Sequence, residues 1–230
     1  MPVPLDEYPI HQLPLSMRYV GSSDRNFLAP DRWVDARDRS WGIRPVGEAE
    51  PAGRRAEESR AGFWWLYVPL GFDDHAMIVI VQEDPDGTRT LNAAARVWGD
   101  GRHEQLGWPE VDIVHRSGTR IPERATLHMR SPDRKPMAVE IEALLGVALH
   151  IGAGYGADPE WSHGQWKGRN WIVSKVYDLA DPALAARVPF GVIDHVGKAT
   201  CDGQVGWGLS EHATIGRHDP SGFRDWSVAP

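Results

Sequence analysis

About nine short segments rich in aromatic and β-branched residues constrain the fold of this 230-residue chain most strongly, because each is closed by proline, glycine or aspartate. The segments are residues 63–70, 76–83, 88–97, 106–115, 125–130, 137–151, 171–178, 191–199 and 205–216. Segments of this length at hairpin spacing are typical of strands that pair with their chain neighbours. The sequence therefore predicts an all-β protein, an antiparallel barrel or strongly curved sandwich with very little helix.

Two local patterns refine this prediction. The one helix expected is residues 182–187, where Asp181 can cap the first turn and Pro182 suits the first helical position. The run at residues 139–149 has enough apolar residues for a helix, but its partial alternation favours a strand.

The composition excludes several classes of protein. A hydrophobic content of 41% and a charged content of 25% are ordinary for a globular chain. The net charge is −7 and lysine and arginine form no stripe, so we expect neither a nucleic-acid partner nor binding to anionic membranes. The first 17 residues lack a signal-peptide pattern, and no apolar run is long enough for stable membrane insertion. With a single cysteine, Cys201, which fits a reducing compartment, these features predict a cytoplasmic protein.

Eleven tryptophans and three segments that mix polar with aromatic residues indicate where chemistry could occur. The segments are residues 35–45, 154–168 and 206–223. In the first, Asp38 could act as an acid inside a cavity, with Trp41 and Arg44 beside a ligand. The alternative is a structural ion pair of Asp38 with a neighbouring arginine, since a buried charge must be paired in either case.

In the third segment, strand alternation places Glu211 on one face and His212 on the other. A carboxylate and an imidazole could transfer a proton there, because an apolar pocket raises the pKa of a carboxylic acid. Alternatively, His218 and its neighbours only brace a turn at residues 219–222. A metal site built from Glu211, His212, His218 and His163 is a further alternative, but the spacing matches no helix-type motif such as His-Glu-x-x-His and ten histidines make accidental clusters common, so no metal is predicted.

The middle segment carries aromatic residues among glycines, which could form a lid over an apolar ligand or a plug at one barrel end. Dinucleotide-binding and phosphate-loop patterns do not occur, so no cofactor is predicted. The predicted catalytic residues are Asp38, Glu211 and His212. The predicted ligand-binding residues are Trp41, Arg44, Trp65, Tyr155, Trp161, His163, Trp166, His195 and His218.

The segments DRSWGIRP (residues 38–45), FWWLYVPL (63–70) and EHATIGRHDPSGF (211–223) resemble a family of bacterial proteins related to the AttH-like and hydroxyneurosporene synthase (carotenoid hydratase) group. Its characteristic Asp-x-Ser-Trp-Gly-x-Arg pattern stands at residues 38–44, and residues 9–27 resemble the start of the same proteins. The resemblance implies a lipocalin-like (calycin-like) barrel, with residues 36–230 as the second domain of a two-domain plan. It implies that residues 1–35 are an irregular remnant of the first domain, which would leave a surface open for a homodimer.

The resemblance further implies a lipophilic small-molecule partner of isoprenoid or polyene type. Some relatives hydrate or cyclise such substrates by acid catalysis, and many have no known activity. Two functions stay open from the sequence: an acid-catalysed hydratase or cyclase, and a carrier that binds a hydrophobic ligand without chemistry. A third alternative is a structural remnant with neither role.

Overall fold

Antiparallel hairpins between consecutive strands build most of this protein. The computed structural model describes residues 18–20, 33–35, 62–148, 167–172, 176–178, 180–186 and 192–225. Its strands are β1 (Arg18–Val20), β2 (Trp33–Asp35), β3 (Gly62–Gly71), β4 (His75–Glu83), β5 (Arg89–Trp98), β6 (His103–Gln105), β7 (Glu110–His115), β8 (Pro122–Arg130), β9 (Pro136–Ala148), β10 (Ile193–Cys201) and β11 (Gln204–Gly216). Strands β1 and β2 pair with each other, and the other nine form one antiparallel sheet in the order β6-β5-β4-β3-β11-β10-β9-β8-β7. The predicted all-β class is confirmed.

The nine-stranded sheet curls into a half-barrel, and Leu106 shows how its two flanks meet. The backbone N–H of Leu106 donates to the carbonyl of Ala94 in β5 at 2.9 Å. Its carbonyl accepts from the N–H of Arg130 in β8 at 3.2 Å. Strands that lie far apart in the sheet order are thereby brought to one place, and their inner faces bury a shared core.

The core occupies the concave face of the sheet. Strand β9 shows the pattern clearly, since its residues alternate between exposed and buried from Pro136 to Ala143. The buried cluster contains Trp64, Leu66, Val68, Leu70, Phe72, Met77, Val79, Val81, Ala94, Leu106, Ala125, Leu127, Met129, Met137, Val139, Ile141, Ala199 and Cys201. Burial of this apolar surface is the main force that holds the half-barrel together.

The short helix α1 (Pro182–Ala185) confirms the one predicted helix. The side chain of Asp181 accepts a hydrogen bond from the backbone N–H of Ala183 at 2.9 Å, and Pro182 lies in the first turn. The sequence pattern thus identifies both the helix and its cap.

Two strand predictions differ from the structure. The segment at residues 106–115 enters a strand only at Glu110, because Gly107 has a φ of 71° and Pro109 supplies no N–H to a ladder. The predicted strand at residues 171–178 is wrong where the structure describes it, since residues 171–172 and 176–178 lie outside any strand. Ile172 and Val176 are almost fully exposed, so their β-branched side chains there have no sheet to pack on.

Strands β3 and β11 approach so closely at Gly208 that only glycine fits. A Cβ atom at this position would lie 1.9 Å from the carbonyl oxygen of Pro69. We expect Gly208→Ala to lower the free energy of unfolding by about 2 kcal/mol or more, because the backbone of β3 would have to move. Gly99→Ala is the control, since its Cβ would meet no atom within 4 Å. Urea unfolding measures both variants, and equal midpoints would contradict the close approach.

Candidate functional site

A pair of carboxyl groups lies on the convex face of the sheet, opposite the core. Asp194 of β10 and Glu211 of β11 are direct cross-strand partners, and Tyr67 of β3 is the next residue in the same row. The two carboxyl groups share a hydrogen bond. Burial raises the pKa of Asp194, and the hydrogen bond to Glu211 offsets this only in part. Two carboxyl groups in such contact can hold a proton between them, and the raised pKa of Asp194 favours its protonated, acid form.

Trp65 completes this acid site, which comprises Trp65, Asp194 and Glu211. The indole Nε1–H of Trp65 donates to Oε1 of Glu211. One oxygen of Asp194, Oδ1, is buried and has no hydrogen-bond partner within the described part of the chain. The indole therefore fixes one carboxyl group, while the other retains an uncommitted oxygen.

Apolar side chains border the acid site. Val147 of β9 is the other cross-strand partner of Asp194, and 63% of its surface is exposed. Val196, two positions along β10 on the same face, is 48% exposed. Leu145 lies close by in β9 and is also exposed. A carboxylic acid bordered by exposed valine and leucine is suited to an apolar ligand rather than to a charged one.

The opposite face of β11 carries a buried histidine, His212. Its Nδ1–H donates to the carbonyl of Trp65 at 2.7 Å, so Nε2 accepts a hydrogen bond from Oγ1 of Thr214 at 3.1 Å. Nε2 of His115 lies 3.4 Å from the same Nε2 atom. Burial, together with the positive charge that His115 carries when it is protonated, lowers the pKa of His212 to about 3. Burial, followed by the positive charge of Arg120, lowers the pKa of His115 to about 4, so both rings are neutral at physiological pH.

Two more histidines lie on this inner face. His195 is buried with its ring against Gly146, where a Cβ would come within 2.8 Å of the imidazole. Burial, followed by the charge of Arg116, lowers the pKa of His195. His218 is buried against Trp64, with ring centroids 5.6 Å apart. We call His115, His195, His212 and His218 the histidine cluster.

Neither metal binding nor a membrane span follows from the geometry of the described residues. Among them, no group of three or more histidine, cysteine, aspartate or glutamate side chains is placed to hold a metal ion. They also include no helix that combines the length and the apolar character needed to cross a membrane.

Comparison with known proteins gives one match. The model of a family described as "Family of unknown function (DUF8625)" matches residues 25–224, which is most of the chain. The chain belongs to this family. No curated protein and no solved structure matches the chain. The resemblance to the AttH-like group therefore stays a prediction.

In this member of the DUF8625 family, five of the predicted site residues are described by the structure. It brings Trp65 and Glu211 together on the convex face, and it brings His195, His212 and His218 together on the concave face. Glu211 and His212 lie on opposite faces, as alternation predicts, so they form no carboxylate–imidazole pair. The other predicted site residues lie outside the described residues: Asp38, Trp41, Arg44, Tyr155, Trp161, His163 and Trp166.

Arg217 and His218 brace the turn at residues 219–222, which is one of the two roles that the sequence left open for His218. Nε of Arg217 donates to Oδ1 of Asp219 at 2.7 Å, and the ring of His218 contacts the hydroxyl of Ser221 at 2.8 Å. This bracing does not exclude a further role for His218, since its other nitrogen lies 3.0 Å from Glu83.

Sequence reasoning missed three members of these sites: Asp194 as the partner of Glu211, His115 in the histidine cluster, and the buried Arg120. His115 follows Val111 and Ile113 at two-residue spacing, so all three lie on the same face of β7. This pattern is a signal for the inner face that the sequence does contain. The pairing of Asp194 with Glu211 depends on the β10–β11 register, which follows from the two-residue turn at Asp202 and Gly203.

Proposed function

We propose that the protein binds a lipophilic small molecule of isoprenoid or polyene type at the acid site and protonates one of its double bonds, as a hydratase or cyclase does. The observation that carries this proposal is the hydrogen-bonded pair of Asp194 and Glu211, in which burial raises the pKa of Asp194. A carboxylic acid whose protonated form is favoured by burial is the group that such a reaction needs.

The proposed reaction begins with transfer of the shared proton to an alkene carbon, which leaves a carbocation on the substrate and a carboxylate on the pair. The indole of Trp65, which is held against Glu211, can stabilise the developing positive charge through its π-system. In a hydratase, water adds to the cation and releases a proton. In a cyclase, attack by a second double bond moves the cation to a new carbon, and loss of a proton from the adjacent carbon then forms a new double bond. In either case the released proton returns to the carboxylate pair, so the acid is regenerated.

The apolar border of the site supports binding independently of the chemistry. Exposed Val147 and Val196 offer contacts to hydrocarbon next to the acid pair. A carrier that binds the same class of ligand is therefore the second candidate function. Native mass spectrometry of the freshly purified protein, together with fluorescence titration of retinol as an added uncharged polyene, tests the ligand binding that both candidate functions require.

Catalysis is tested by incubating the protein with acyclic isoprenoid alcohols in deuterated water and measuring deuterium incorporation into carbon. We expect Asp194→Asn and Glu211→Gln each to reduce incorporation by about 100-fold or more, because the shared proton is lost. Glu140→Gln, which removes an exposed carboxylate from the neighbouring strand β9, should leave it unchanged.

The outcomes separate the two candidates. Binding of retinol without deuterium incorporation would identify a carrier. Incorporation that survives in both acid-site variants would exclude the proposed mechanism, and absence of both binding and incorporation would exclude the proposed function altogether.

A further inference from the structure

A hydroxyl, an imidazole and a carboxylate form a hydrogen-bonded chain at one end of the half-barrel, away from the acid site. Oγ of Ser221 lies 2.8 Å from Nδ1 of His218. Nε2 of the same ring lies 3.0 Å from Oε2 of Glu83, in β4. His218 and Ser221 are close in sequence, but Glu83 lies 135 residues before His218, so the three side chains meet only in the folded protein.

The donors and acceptors among Ser221, His218 and Glu83 can be assigned by starting from the carboxylate of Glu83. Glu83 accepts a hydrogen bond from Nε of Arg89 at 2.9 Å. Burial alone would raise the pKa of Glu83, but the hydrogen bonds from His218 and Arg89 outweigh it, so the pKa is lowered and the group is ionised. A carboxylate can only accept, so Nε2–H of His218 donates to it. In the neutral form of the ring Nδ1 is then the unprotonated nitrogen, which can accept the hydroxyl proton of Ser221.

The imidazole of His218 is held rigidly, and the hydroxyl of Ser221 is partly accessible to solvent. His218 is only 2% exposed, and its ring stacks on Trp64. Its backbone exchanges two hydrogen bonds with Phe223, at 2.7 and 3.2 Å, which close the turn that carries Ser221. Ser221 itself is partly exposed. A fixed base with an accessible hydroxyl is the arrangement that activates a serine nucleophile.

We propose that Ser221 is a nucleophile toward carboxylic esters, with His218 as its general base and Glu83 as the group that orients the ring. The imidazole nitrogens exchange their usual roles, since the base is Nδ1 and the oriented nitrogen is Nε2. Either nitrogen can act as the base, because the partner of one nitrogen determines the proton on the other.

The reaction would proceed in two balanced steps. Oγ of Ser221 bonds to the carbonyl carbon of the ester while its proton moves to Nδ1 of His218, and the alcohol departs with that proton as the acyl–serine forms. Water then attacks the acyl–serine, again with His218 as base, and releases the acid and the free hydroxyl. The net reaction consumes one ester and one water molecule.

A fluorophosphonate probe tests the proposal, since its phosphorus bonds to an activated serine and fluoride departs. We expect one adduct per chain, located at Ser221 by peptide mass spectrometry, and none in Ser221→Ala. Glu83→Gln and His218→Gln should slow the labelling by about 100-fold or more. Ser131→Ala is the matched control, because Ser131, like Ser221, is a partly exposed serine, and its hydroxyl contacts the carboxylate of Asp133 rather than an imidazole.

Several results would overturn the proposal. The first is absence of an adduct in the wild-type protein with its fold intact by circular dichroism. The second is an adduct that persists in Ser221→Ala or disappears in Ser131→Ala. The third is a normal labelling rate in Glu83→Gln or His218→Gln, with only the melting temperature lowered, which would show a purely structural chain. The acid site lies on the opposite face, so its variants, and therefore the outcome for the proposed function, are independent of this labelling.

Discussion

Lowering the pH from about 7 to about 4 should reduce the free energy of unfolding by about 3 kcal/mol through His212 alone. The pKa of His212 falls from the ordinary value of 6.5 in the unfolded chain to about 3 in the folded protein. Between these two values the unfolded chain binds a proton that the folded protein rejects. Stability is therefore complete above about pH 6.5 and is lost as the pH falls through this window.

Neighbouring groups set the size of this loss. His115, whose pKa is lowered to about 4, and His195 act in the same direction. Glu83 adds to the loss of stability at lower pH, because its pKa is lowered in the folded protein. As the pH falls, the unfolded chain therefore binds a proton at Glu83 before the folded protein does. Asp194 opposes it, since its raised pKa makes the folded state retain a proton. The histidines have the larger influence between about pH 6.5 and 4, where most carboxylates stay ionised.

Urea unfolding at a series of pH values measures the effect. His115→Gln should give a shallower slope of stability against pH, because one titrating group is removed and the like charge that it would place beside His212 is absent. His128→Gln should keep the wild-type slope, since His128 is on the exposed side of β8, in contact with Asp112. A wild-type unfolding midpoint that is the same at about pH 7 and about pH 4 would contradict the burial of neutral imidazoles.

The strands were predictable because their signals are local. Residues 63–70 and 76–83 are aromatic and β-branched, and the Asp-Pro-Asp-Gly sequence at 84–87 supplies a turn in which Gly87 has a φ of 85°. The alternation in β9 correctly decided between strand and helix at residues 139–148. The strand expected at residues 171–178 failed because β propensity expresses a fit to a neighbouring strand, which the residues described there lack.

The site was predictable only in part, because the two faces of the central strands are both apolar. Alternation separates Glu211 from His212 but does not show which of them faces the core. Trp64 and Tyr67 of β3 are each 4% exposed although they face opposite sides of the sheet, so burial does not mark the inner face there. The concave side is fixed by the curl that joins Leu106 to β8, a long-range contact that no local pattern records.

Replacement of Arg120 should cause a large loss of stability at neutral pH. Arg120 lies in the β7–β8 turn and is 2% exposed. Its Nη1 donates to the carbonyls of Thr214 and Gly216 at 3.0 and 2.7 Å, and its Nη2 donates to the carbonyl of Asp225. Its guanidinium also lies 4.3 Å from the ring centroid of Phe223. One side chain therefore joins the end of β11 and the segment after it to the opposite flank of the half-barrel.

Arg120→Met should lower the free energy of unfolding by about 3 kcal/mol or more, because buried carbonyl groups lose their donors while the apolar volume is largely kept. Arg116→Met is the matched control, since Arg116 belongs to the same turn but is exposed. Arg120→Met should also raise the pKa of His115, because the positive charge of Arg120 helps to lower it. Urea unfolding at neutral pH measures the free energy of unfolding, and NMR titration of the His115 imidazole measures its pKa. Equal stability of the two methionine variants would show that Arg120 does not tie the flanks together. A destabilised Arg120→Met variant with a raised His115 pKa would show that one buried cation both closes this end of the sheet and keeps His115 neutral.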